Sequence, residues 1–92
     1  MPYIFEVRRE FYSEELERLL SRMREADYDL RKGDVTYLIT KIIVNYIKVK
    51  GKSYDTLSDV DGILGTAAKE FYDRVTAPYE KQKREVNGDV YE

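Results

Sequence analysis

Residues 35–47 place apolar side chains on two faces of a single helix. Val35, Leu38, Ile39, Ile42, Ile43, Tyr46 and Ile47 recur at the spacing of a core-facing stripe, and Tyr37, Thr40 and Val44 form a second, narrower stripe on the far side. Asp34 is the expected N-cap, and Gly51, directly after Lys50, is the expected stop, so the helix is predicted over 34–50. Such a helix has no face to give wholly to water. Either it runs through the middle of the fold or a partner chain covers the second stripe.

With 92 residues there is room for one domain and none for a second core. Ser13, followed by Glu14 and Glu15, reads as an N-cap and an acidic first turn, and Leu16, Leu19, Leu20 and Met23 give an apolar side to a helix over 13–26. The stretch 27–33 is polar and reads as a connection. Ser58, with Asp59 and Asp61 behind it, is the expected cap of a third helix over 58–86, whose apolar face runs through Val60, Ile63, Leu64, Ala67, Phe71 and Val75. Gly62, Gly65, Ala67 and Ala68 leave room for a close neighbour. Pro78 has no N–H to donate and its ring clashes with the carbonyl of residue 74, so this helix should kink or split there.

The two ends read differently. In residues 1–9, Tyr3, Phe5 and Val7 alternate with Ile4, Glu6 and Arg8, the pattern of an extended arm. In residues 87–92, Asn87-Gly88 favours a sharp reversal that would send Val90 and Tyr91 back to dock on an apolar surface, with the arm as the expected neighbour. The expected fold is therefore all-α: a small three-helix bundle, the third helix kinked or split at Pro78, with an extended N-terminal arm and a C-terminal tail. Residues 1–92 form a single helical domain in this reading.

Composition narrows the chemistry. The chain has no Cys and no His. Disulfides, thiolate catalysis and iron–sulfur ligation are excluded, as are Ser-His-Asp and Cys-His mechanisms and the commonest zinc ligands. A net charge of −2 offers no general attraction to nucleic acid or anionic lipid. Charge interrupts the N-terminal apolar run at Glu6, unlike a signal peptide, and Ile42-Ile43-Val44 is far too short to cross a membrane. A cytoplasmic protein is the expectation.

Three groups of residues carry alternatives. Glu14 with Glu17, and Glu70 with Asp73, are carboxylate pairs three apart, the spacing by which facing helices hold Mg²⁺ in all-α nucleotide pyrophosphatases. Any charged helix also produces such pairs, and a whole helix separates Glu17 from Glu70. Lys48, Lys50 and Lys52, with Arg31, Lys32, Lys81, Lys83 and Arg84, could form a phosphate-binding face, or could be solvated lysines and arginines favoured near helix C-termini. Tyr79, on a charged segment beside Pro78, suits a partner surface as well as it suits a core. Gly62 and Gly65 fit close helix packing better than a phosphate loop, since no strand precedes them.

Several segments together resemble an uncharacterised family of small bacterial and phage-encoded proteins. They are Met1-Pro2-Tyr3-Ile4, Asn45-Tyr46, Ser53-Tyr54, Asp59-Val60-Asp61-Gly62-Ile63-Leu64, Lys69-Glu70-Phe71-Tyr72, Arg74-Val75, Ala77-Pro78-Tyr79-Glu80, Lys83 and Asn87-Gly88-Asp89-Val90-Tyr91. The resemblance covers about half the chain and carries an EFYxRVxAPYExxKxxxNGDVY signature. It implies a small α-rich protein with a phage or prophage association, and it assigns no catalytic residue.

The reading these observations support is a non-enzymatic binding or assembly module that acts as a homo-oligomer. It has no catalytic residue, no cofactor and no metal, and neither nucleic acid nor membrane as a partner. The self- or partner-contact residues are Tyr37, Val44, Tyr79, Val90 and Tyr91. The alternatives are a Mg²⁺-dependent nucleotide hydrolase built on Glu14, Glu17, Glu70 and Asp73, and a small nucleic-acid accessory protein.

Overall fold

The structure is a computed structural model, and it describes residues 4–91. Its elements in order are α1 (Glu6–Met23), α2 (Lys32–Lys50), α3 (Tyr54–Phe71), a π-helical turn (Tyr72–Thr76) and α4 (Ala77–Asn87). There is no strand among the described residues. The expected all-α class holds. It consists of α1, α2 and a composite third helix made of α3, the π-turn and α4. The described residues fall into two compact units, 4–57 and 58–91, with the boundary inside α3.

In the first unit, α1 begins at Glu6 and not at Ser13. Glu6, Arg8, Arg9 and Glu10 are sound helix formers with an acid in the first turn, and nothing between them and Ser13 stops the helix. Ser13 is not a cap: its hydroxyl donates back to the Glu10 carbonyl at 3.1 Å, as serines inside helices do. The predicted arm over 1–9 is thus helical from residue 6, and its first three residues lie outside the described ones. The helix ends at Met23, three residues before the expected 26.

α2 starts at Lys32, two residues earlier than expected. Asp34 is inside the first turn instead of at the cap. Its carboxylate accepts the Arg31 backbone N–H at 2.9 Å, while its own N–H donates to the Arg31 carbonyl at 3.0 Å. Gly51 ends the helix as expected, with φ +88° and its N–H on the Ile47 carbonyl at 2.8 Å. That backbone conformation suits glycine, because residues with a Cβ rarely adopt so positive a φ.

α3 also starts early. The cap is Ser53, not Ser58: the Ser53 hydroxyl accepts the Thr56 N–H at 3.1 Å and donates to the Thr56 hydroxyl at 3.1 Å. Both serines precede aspartates in the sequence, and the upstream one wins because residues 54–57 are then free to add a turn.

In the second unit the disturbance expected at Pro78 takes the form of a widened turn instead of a break. Ala77 donates its N–H to the Tyr72 carbonyl, five residues back, and Pro78 then sits in the first turn of α4. The wider loop absorbs the missing donor and relieves the ring clash with residue 74. The helix ends at Asn87, with Gly88 at φ +89°.

Burial is sparse. Thr56 in the first unit and Val60 in the second are the buried ones among the described residues. Half-buried side chains mark where each unit packs: Leu19, Leu20, Met23, Leu38, Ile43, Tyr46 and Ile47 in the first, Glu70, Thr76 and Ala77 in the second. The α2 stripe expected to form the core is therefore only half used, because Ile39 and Ile42 are exposed.

Candidate interaction surfaces

The end of α1, the 24–31 connection and the start of α2 enclose an open cleft of about 440 Å³ in the first unit. Leu19, Met23, Leu30 and Leu38 give it an apolar floor, and Arg22, Glu25 and Asp34 give it a charged rim. Asp34 organises one side. Besides receiving the Arg31 N–H, Asp34 acts on the neighbouring Tyr28, whose phenol pKa it raises above the ordinary 10.0 by hydrogen bonding first and by its charge second. Asp29 is held by the Arg31 guanidinium at 2.9 Å. Tyr37, one of the sequence-expected contact residues, lines the cleft. Val44 lies two turns further along α2, exposed and outside it.

The second unit brings Tyr79, Val90 and Tyr91 to one concave surface of about 410 Å³, between α4 and the tail. Lys83 lies over the Tyr79 ring, with its ammonium 5.5 Å from the centroid. Arg84 faces Asp89 at 3.6 Å, and Asp89 accepts the Tyr91 N–H at 2.8 Å. The reversal expected at Asn87-Gly88 is present, but docking on the chain itself is not: Val90 is 89% exposed and Tyr91 91%. Glu92, like residues 1–3, lies outside the described residues, and so does the arm residue Tyr3 that was expected beside the tail.

The four carboxylates considered for Mg²⁺ are each engaged by a nearby cation. Glu14 meets Arg18 at 2.7 Å and Glu17 meets Arg24 at 2.7 Å in the first unit. In the second, Glu70 meets Arg74 at 3.2 Å and Asp73 meets Lys69 at 2.9 Å. Asp73 raises the Lys69 pKa, chiefly by accepting its hydrogen bond. Among the described residues, no group of three acidic side chains is placed to hold a metal ion. Of the basic residues, Lys83 and Arg84 face Tyr79 and Asp89, and Arg31 faces Asp29.

Tyr28 and Leu30 lie in a connection whose polar composition does not point to a site, yet both line the cleft, and two large side chains in an otherwise polar segment are the sequence signal for it.

A family model described as a domain of unknown function, DUF6899, matches residues 1–90. The match extends through residues 5–44, where the motif resemblance named nothing. No curated protein and no solved structure matches the chain. No helix among the described residues is long and apolar enough to cross a membrane.

Proposed function

We propose that this chain, which belongs to the DUF6899 family, is a non-enzymatic assembly module that works as a homo-oligomer in the cytoplasm of a bacterium or of a phage-infected host. The observation that carries the reading is that α2 leaves apolar side chains exposed on both of its faces: Tyr37, 61% exposed, with Val44 on one, and Ile42, 63% exposed, with Ile39 on the other. Large apolar side chains left exposed on two sides of one helix support a partner that covers at least one of them in water. The absence of Cys supports a reducing compartment, and the −2 net charge supports a protein partner over nucleic acid. The bacterial or phage origin rests on the C-terminal signature. The ion pairing of Glu14, Glu17, Glu70 and Asp73 favours the assembly role over the hydrolase.

Sedimentation at low micromolar concentration tests the proposal. The expected species is heavier than 10.9 kDa, and Val44→Asp, at an exposed position on the Tyr37 face, should return it to the monomer with its helical circular dichroism intact. A wild-type chain that sediments only as a monomer would sink the reading.

A further inference from the structure

The helices satisfy their charges unevenly. α1 and the second unit pair theirs locally, as Arg18–Glu14, Arg74–Glu70 and Lys69–Asp73 show. Lys41 and Lys48 on α2 and Asp61 on α3 take part in no ion pair among the described residues. α2 carries four lysines against one aspartate, a net +3, and α3 carries three aspartates and a glutamate against one lysine, a net −3.

These unmatched charges sit within apolar stripes. Tyr37, Lys41, Val44 and Lys48 recur along one face of α2, all exposed. Leu57, Asp61, Leu64 and Ala68 recur in the same way along one face of α3, also exposed. The α2 stripe alternates apolar and basic positions, the α3 stripe sets one aspartate among three apolar residues, and the two are opposite in sign.

Resting on the homo-oligomer reading above, we infer that the Tyr37–Lys48 face of α2 takes the Leu57–Ala68 face of α3 from a second copy of the chain, the two helices running antiparallel. That direction opposes the helix dipoles favourably and seats Asp61 between Lys41 and Lys48, with Leu57 and Leu64 on the lysine stems, Val44 and Tyr37. Pairing α2 with α2 of another copy would set +3 against +3 and leave both acidic stripes uncovered. Charges at the edge of such a contact select the partner and the direction, while the apolar residues between them are removed from water.

Two charge-reversed chains test this. Lys41→Glu with Lys48→Glu makes both stripes acidic, and Asp61→Lys removes the acid from the other. All three positions are exposed, so circular dichroism should show both variants folded. Each variant alone should self-associate at least about tenfold more weakly than wild type, and an equimolar mixture should associate to within about threefold of wild type, because the reversed charges then meet their opposites. Variants that associate alone as tightly as wild type, or a mixture no tighter than either variant, would overturn the α2–α3 contact while leaving the homo-oligomer standing. A monomeric wild type would overturn both.

Discussion

The carboxylate of Asp34 accepts the backbone N–H of Arg31 at 2.9 Å, where the 24–31 connection enters α2. The same residue lines the cleft beside Tyr28, so one short side chain both fixes the start of the helix and sets the charge of the cleft wall.

Asp34 favours the protonated phenol of Tyr28, first as a hydrogen-bond acceptor and then by its negative charge, so the phenol pKa lies above 10.0. The folded chain therefore holds this proton more tightly than the unfolded chain does. The stabilisation is complete below pH 10.0 and is lost as pH rises through the folded value. Phenolate absorbance of wild type minus Tyr28→Phe isolates the residue, and Asp34→Asn should bring its ionisation down toward pH 10.0. An Asp34→Asn chain in which Tyr28 titrates as in wild type would remove the carboxylate as the cause.

The two candidate caps of α3 separate cleanly. Ser53→Ala deletes the acceptor for the Thr56 N–H and should cost about 0.5–2 kcal/mol in chemical denaturation. Ser58→Ala lies inside the helix and should change stability by less than about 0.5 kcal/mol. Equal losses would mean that α3 frays back to Ser58 in solution.

Pro78→Ala restores a donor and removes the ring, so the turn at Tyr72–Thr76 has no further reason to stay wide. Its N–H can then bond the Arg74 carbonyl in ordinary α-helical register. Amide exchange across 72–78 should slow and helical ellipticity should rise. Unchanged exchange would place the origin of the π-turn elsewhere.

Gly51→Ala forces a side chain into φ +88°, where the space around it is open but the backbone itself is unfavourable. The expected loss is about 1–3 kcal/mol. A melting temperature equal to that of wild type would show that the α2–α3 turn rearranges without cost.

Removing residues 89–92 should leave the thermal stability of the monomeric chain unchanged, since Val90 and Tyr91 remain about nine-tenths exposed. A fall in melting temperature that persists at concentrations where the chain is monomeric would show that the tail docks within the chain.

The sequence alone was enough for whatever depends on neighbours within a turn or two. Apolar recurrence from Val35 to Ile47 and from Val60 to Val75 specified helices, because periodicity at 3.6 residues is a local property. Gly51 and Gly88 ended helices where expected, because their positive φ needs no distant contact. Pro78 disturbed the helix near its own position for the same reason, and the absence of Cys and His removed several chemistries outright. The tertiary structure decided which of two local options was taken. Ser58 was as good a cap on paper as Ser53, Ser13 was a better one than Phe5, which makes no side-chain cap bond, and Asp34 as a cap was as plausible as Asp34 in the first turn holding the Arg31 N–H. It also decided which apolar residues meet water. Ile43 and Ile42 are adjacent and chemically identical, yet one is half-buried and the other exposed, because burial is set by side chains remote in sequence that no spacing rule contains.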